Sequence, residues 1–252
     1  MIGTYAYCLK KLVLIFGLIF ISSISVLATN VCNFNVRIKQ TLINEGFHRN
    51  ITYGIIFNTK NDDERWLYAD CVVGLEQVLP SGVFTNPDEL SDLRRSKKLN
   101  AFPKNRVNVE LPAEQSSPNR VYITGKVLDG KINLWLPVHA RYHQAVSGGG
   151  TARNEIEAPT LFLHCPDERL EVCGAKNAQA VFSCNGSSKE KCKWKEIPYT
   201  MMTETLIWDV PVGNTDHYYL VATGTATVIV VGSLYLLKAI HEYQVSHRKK
   251  KL

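Results

Sequence analysis

The chain has 252 residues, 45% of them apolar and 21% charged, and a formal net charge of +6. The positive excess sits at the two ends: Lys10 and Lys11 near the start, and Lys238, Arg248, Lys249, Lys250 and Lys251 against Glu242 at the finish. What lies between is neutral and long enough for one domain with its own core, which excludes a basic nucleic-acid face and nucleic acid as a partner.

Lys10 and Lys11 precede an apolar run over 12–21, and a small, polar stretch leads to Val26-Leu27-Ala28. That order of charge, apolar run and small residues predicts a signal peptide over 1–28, cleaved after Ala28, and Cys8 leaves with it. A retained signal anchor is the weaker alternative, because the run is short and Ser22, Ser23 and Ser25 break its end. Six cysteines remain: Cys32, Cys71, Cys165, Cys173, Cys184 and Cys192. An even number in an oxidising lumen predicts disulfides, and the four between 165 and 192 are expected to pair largely among themselves. Seven residues separate Cys165 from Cys173, and seven separate Cys184 from Cys192. That is too wide for a zinc knuckle, so no metal is expected. Asn50-Ile51-Thr52 and Asn185-Gly186-Ser187 are glycosylation sequons open to modification in a lumenal domain.

Over 29–217 the pattern is mainly β. Segments 50–58, 106–111, 120–128, 131–143, 160–165 and 205–210 are rich in Val, Ile, Tyr, Phe and Trp, and Gly, Pro, Asn and Ser separate them. Such spacing predicts a single β-sandwich-like domain. One short helix is expected over 87–95: Asn86 can cap, Pro87 suits the first position, Asp88 and Glu89 favour the N-terminal dipole, and Arg94 and Arg95 lie at the other end. Ser147-Gly148-Gly149-Gly150 reads as a flexible surface loop in a long hairpin connection.

The densest polar constellation is Leu136-Pro137-Val138-His139-Ala140-Arg141-Tyr142-His143. In an extended strand His139, Arg141 and His143 share one side, a surface able to hydrogen-bond a partner. Alternate strand residues are about 6.6–6.8 Å apart, so these histidines do not form a metal site by themselves. No Gly-x-Ser-x-Gly, His-Glu-x-x-His, Walker loop or dinucleotide fingerprint occurs, and neither catalytic residues nor a cofactor are expected.

Residues 218–237 are uncharged, and twenty helical residues span about 30 Å, the thickness of a bilayer's hydrocarbon core. A transmembrane helix is predicted there, followed by a basic cytosolic tail over 238–252, in the orientation that the positive-inside rule demands. Ala222, Thr225, Ala226 and Gly232, with Ile229 and Ser233, fall close to one helical face, and small residues permit close helix approach in lipid. Lys249 and Lys250 stand fourth and third from the C-terminus, the dilysine address by which coat proteins return membrane proteins to the endoplasmic reticulum. Together these features predict a single-pass type I protein of that membrane, its bulk lumenal.

Leu136 to His143 resembles the Leu-Pro-Val-His-x-Arg-Tyr-His motif of the PIG-X / Pbn1 family. Glu45-Gly46-Phe47-His48-Arg49 resembles that family's N-terminal lumenal segment. Leu79-Pro80-Ser81-Gly82-Val83-Phe84-Thr85-Asn86-Pro87-Asp88-Glu89-Leu90 resembles its Pro-x-Gly-(aromatic)-x-x-Pro-x-Glu-Leu stretch. Cys71, the spacings Cys165/Cys173 and Cys184/Cys192 followed by Trp194, and Val210-Pro211-Val212-Gly213 agree as well. The departures are Ala140, where some relatives have cysteine, and Cys32, which has no clear counterpart. The resemblance implies a non-catalytic subunit that stabilises the multispanning mannosyltransferase adding the first mannose in glycosylphosphatidylinositol (GPI) anchor assembly, a separate enzyme using dolichol-phosphate mannose. The alternative is a cargo receptor of the p24 kind, or a general lumenal membrane chaperone. Against the first, Pro198 and Pro211 interrupt the juxtamembrane segment and the tail lacks phenylalanine.

Overall fold

The computed structural model describes residues 35–58, 68–165, 169–171, 179–184 and 191–249. The expected signal peptide, Cys32, Cys173, Asn185 and Lys250 lie outside the described residues. The strands are β1 (Val36–Ile43), β2 (His48–Phe57), β3 (Val72–Leu79), β4 (Val83–Phe84), β5 (Asn100–Pro103), β6 (Asn119–Lys126), β7 (Lys131–Ala140), β8 (Gly150–Ile156), β9 (Thr160–His164), β10 (Gln179–Ser183), β11 (Lys191–Glu196), β12 (Thr200–Met201) and β13 (Leu206–Val212). The helices are α1 (Pro87–Arg95) and α2 (Tyr218–Lys249).

Alternation builds the layers. In β1, Val36, Ile38 and Gln40 are buried while Arg37 and Lys39 are exposed, so one face of the strand seeks a core. The first sheet runs β12-β1-β2-β7-β4, the second β10-β11-β9-β3-β6-β5, and β13 pairs with β8 as a separate ribbon. One continuous core joins them. Ile38, Ile51, Tyr53 and Leu136 come from the first sheet, Val73, Leu75, Ile123 and Leu161 from the second, and Ile156, Trp208 and Val210 from the ribbon. Each fully buried aliphatic or aromatic side chain here contributes about 1.5–3 kcal/mol. A smaller aromatic cluster of Tyr122, Phe162, Phe182 and Trp194 covers the other face of the second sheet. Gly74 leaves room for it, since a Cβ there would come within 2.9 Å of Trp194 and 3.0 Å of Phe182.

The sandwich and α1 match the sequence expectation. Asn86 accepts a hydrogen bond from the Asp88 N–H, Pro87 opens the helix, and buried Leu90 anchors it. α2 begins where the span was expected and continues to Lys249, with one stretch long and apolar enough to cross a membrane.

Three local expectations need correction. Residues 106–111 alternate like a strand but form a loop, because the Asn108 side chain accepts the Glu110 N–H at 3.0 Å and offers the backbone a turn instead of a ladder. The 147–150 stretch is not a hairpin connection, since β7 lies in the first sheet and β8 in the ribbon. Cys165 pairs with Cys71 rather than within its own cluster. The antiparallel register sets Val72 opposite His164, which brings the flanking cysteines of β3 and β9 face to face. Cys184 and Cys192 do pair, closing the β10–β11 hairpin.

Polar groups also bridge the two sheets. The Gln77 carbonyl accepts from Gln40 Nε2 at 3.0 Å and from the Tyr53 hydroxyl at 2.9 Å, while its amide donates to the carbonyls of Val78 and Glu157. Gln40, Tyr53 and Gln77 are wholly buried, and burial pushes the Tyr53 phenol far above its ordinary value, so it remains a neutral donor. Gln77→Leu keeps the volume but strands two donors. We expect a loss of about 2–3 kcal/mol, read as a fall of roughly 5–10 °C in the thermal midpoint of the detergent-solubilised chain.

Candidate functional site at the junction of three motif stretches

Strand pairing brings distant residues into one row. β2 places His48 opposite His139 of β7, and β4 places Phe84 on the other side of His139. The three rings stack across the sheet: His48 and His139 have centroids 4.2 Å apart, and Phe84 and His139 5.3 Å. From the first turn of α1, Glu89 reaches the same spot. Its Oε2 lies 2.8 Å from His139 Nε2 and its Oε1 3.4 Å from His48 Nε2. Leu90, the next residue, is buried and holds that turn down.

β7 ends at Ala140, so the alternation expected through His143 stops there. Arg141 is 5% exposed. Its backbone N–H donates to the Gly82 carbonyl, its Nη1 donates to the Leu111 carbonyl at 2.7 Å, and its guanidinium lies 4.4 Å from the Phe84 ring centre. Burial pulls its pKa below the ordinary arginine value, and among the described residues no carboxylate pairs with it. A carbonyl and an aromatic face replace the lost water. Tyr142 is 77% exposed instead, with its ring beside Phe47 at 5.4 Å.

His143 turns to a different neighbourhood. Asn154 of β8 donates to its Nε2 at 3.3 Å, and Glu114 lies 3.7 Å from Nδ1. The Gln144 N–H bonded to Glu114 at 2.7 Å, helped by its own N–H and by His143, holds that carboxyl below its usual range. A depressed carboxyl contributes stability above its unfolded pKa and loses it as pH falls through the folded value, so this contact is intact at neutral pH. Gly82 leaves room for this group: a Cβ would sit 2.0 Å from Asn154 Oδ1 and 2.9 Å from His143 Cε1, so a larger residue would displace those side chains.

The chain then runs to the membrane helix. Val146 donates to the Gly213 carbonyl, Thr215 donates to the Val146 carbonyl, Ser147 Oγ donates to Asp216, and the Gly148 N–H meets Asn214 and Asp216. Gly148 and Gly149 adopt φ of +81° and +67°, which only glycine takes readily, so the stretch expected to be a flexible loop is a bonded turn on the entry to α2. A few residues of backbone thus connect the His139–Arg141–His143 stretch to the start of the span.

His139 and Arg141 therefore meet through Phe84, whereas His143 belongs to the Glu114–Asn154 group. His48, Phe84 and Glu89 were not singled out as site residues by sequence reasoning. Their signal was positional: His48 lies in the 45–49 stretch, and Phe84 and Glu89 lie in the 79–90 stretch. The imidazoles are committed to carboxylates, an amide and a carbonyl. His139 meets a carboxylate, His143 an amide and His164 a backbone carbonyl. In α2, Ala222, Thr225 and Ala226 are exposed and Gly232 is partly exposed, and a Cβ on Gly232 would meet nothing within 4 Å.

The family model of PIG-X / PBN1 matches residues 44–241, which takes in the three stretches, the sandwich apart from β1, and most of α2. The chain belongs to the PIG-X / PBN1 family. Proteins named "GPI alpha-1,4-mannosyltransferase I, stabilizing subunit" resemble it at full scale. That of Rattus norvegicus is 29% identical over 82% of this chain and 82% of its own. Those of Mus musculus and Homo sapiens are 28% and 27% identical over 82% of this chain and 81% and 80% of theirs. The PIG-X motif strand is thus the place where the domain joins its distant stretches.

Arg141→Ala removes the carbonyl bond and the stacking on Phe84 and leaves the Leu111 carbonyl unpartnered. We expect a cost of about 2–4 kcal/mol and faster amide exchange over 104–116, whereas Tyr142→Ala leaves the thermal midpoint within about 2 °C.

Proposed function

We propose that this chain is the non-catalytic, stabilising subunit of the mannosyltransferase that adds the first mannose to the growing GPI anchor. The observation carrying this is the family match from residue 44 to 241, together with relatives of the same length that bear that function in their names. The mechanism is mass action: a subunit that binds only the folded catalytic partner shifts the partner's folding equilibrium and withdraws it from degradation.

The chain sits in the endoplasmic reticulum membrane as a single-pass type I protein, with the sandwich lumenal and the tail, including Lys249 and Lys250, exposed to coat proteins. Two surfaces meet the partner. In the bilayer, Ala222, Thr225, Ala226 and Gly232 offer a close-packing face, while Thr223 and Thr227, on another face, return their hydroxyls to backbone carbonyls. In the lumen, the end of the sandwich carrying His139, Arg141 and His143 is bonded to the entry of α2 and presents Tyr142 and Phe47. Asn50 carries a glycan: it lines an open cleft of about 660 Å³ with Thr41, Thr52 and Trp135 on the outer face of the first sheet. Asn185 is the second expected acceptor. Cys32 and Cys173 are the further disulfide candidates.

Native co-purification from mild-detergent membranes, with measurement of the catalytic subunit after depletion of this chain, tests the proposal. Recovery of the transferase, its loss on depletion and a block before the first mannose are expected. An unchanged transferase level, with secretory cargo recovered instead, overturns it in favour of a p24-like receptor. Ala226→Leu with Gly232→Leu should weaken co-purification about five- to thirtyfold, the equivalent of about 1–2 kcal/mol, while Val231→Leu on the opposite face leaves it unchanged. Serine at 249 and 250 should let the chain reach the Golgi, read as glycans that resist endoglycosidase H.

A further inference from the structure

We propose that His48, Glu89 and His139 form a binding site for a divalent transition metal, Zn²⁺ in the first instance, on the outer face of the first sheet. The ligand atoms of all three lie within 4.8 Å of one another. Both imidazoles point Nε2 at the same carboxylate, and each takes a different oxygen of it, at 3.4 Å and 2.8 Å. In tetrahedral zinc with bonds of about 2.0–2.1 Å, ligand atoms stand about 3.3–3.4 Å apart, so ligand atoms already within 4.8 Å of one another need only a small side-chain adjustment to close on an ion. Two imidazoles and one carboxylate are a donor set that suits zinc and leaves a fourth position open to water or another ligand.

The support around these ligands is fixed. His139 is held in the ladder between β2 and β4 and stacks on Phe84. Glu89 stands on a helical turn capped by Asn86 and anchored by Leu90. His48 is 57% exposed at the start of β2. It stacks on His139 with rings 20° from parallel, so capture asks its ring, exposed on the solvent side, to turn until Nε2 faces the shared vertex. Sequence spacing on β7 alone excluded a metal site there, because the distance from His139 to His143 is too long. The actual companions of His139 come from the neighbouring strand β2 and from a helix 50 residues upstream.

The test uses the full-length chain in detergent, purified without a polyhistidine tag, with His241 and His247 of the tail changed to alanine to remove their background. Zn²⁺ is titrated against a chromophoric chelator. One zinc per chain with micromolar affinity is expected, weakened at least about tenfold by His48→Ala, His139→Ala or Glu89→Gln and unaffected by His143→Ala. His48 is at the surface, so its alanine variant keeps the fold and reports binding alone. Zinc should also shield His48 and His139, but not His143, from diethylpyrocarbonate. Absence of binding at about 100 µM zinc, or binding that persists in the His48→Ala, His139→Ala double variant as an adventitious ion only, overturns the proposal.

Discussion

The register of β7 between β2 and β4 is the constraint on which the rest depends. It directs Leu134, Leu136, Val138 and Ala140 into the core and sends Asn133, Trp135 and His139 outward. A slip of one residue would exchange the two sets, exposing four core side chains and burying an imidazole. The same register opposes His48 to His139 and Phe84 to His139, and so creates the stacked row that Glu89 caps. Pro137 carries no N–H and lies beyond the two residues that β4 pairs, in keeping with how short that strand is.

Below that row, the sandwich is tied to α2 by hydrogen bonds rather than by a loose linker. The backbone after β7 binds the segment between β13 and α2, and the glycine turn at 148–149 wraps the Asn214 and Asp216 side chains. The Asn154 amide links His143 to the Trp208 carbonyl, so the ribbon closes the same end of the sandwich. The end of the sandwich and the apolar helix α2, fixed together in this way, form one continuous surface.

Local chemistry was legible and long-range pairing was not. α1 could be read to the residue because its cap, proline, acidic start and basic end are all local. The span could be read because bilayer thickness sets a length. β1, β3, β4, β5, β8, β10, β11 and β12 were not among the expected strands. β3 is buried on one face by the main core and partly on the other by Trp194 and Phe182 over Gly74, which blurs its alternation. Residues 106–111 have the alternation but spend it on an Asx turn. The Cys71–Cys165 bond follows from β3 lying beside β9, which no spacing along the chain reveals. The meeting of His48, Glu89 and His139 is of the same kind: three stretches could be recognised one by one, while their contact depended on sheet order.

The central claim is that this chain preserves its enzyme rather than taking part in mannose transfer. Pulse-chase of the catalytic subunit in cells with and without this chain, with transfer activity normalised to the amount of catalytic subunit, tests it most directly. A shortened half-life without the chain, with activity per molecule unchanged, is the expected result. An unchanged half-life with activity per molecule reduced would mean that the chain acts in the transfer step, and would contradict the account.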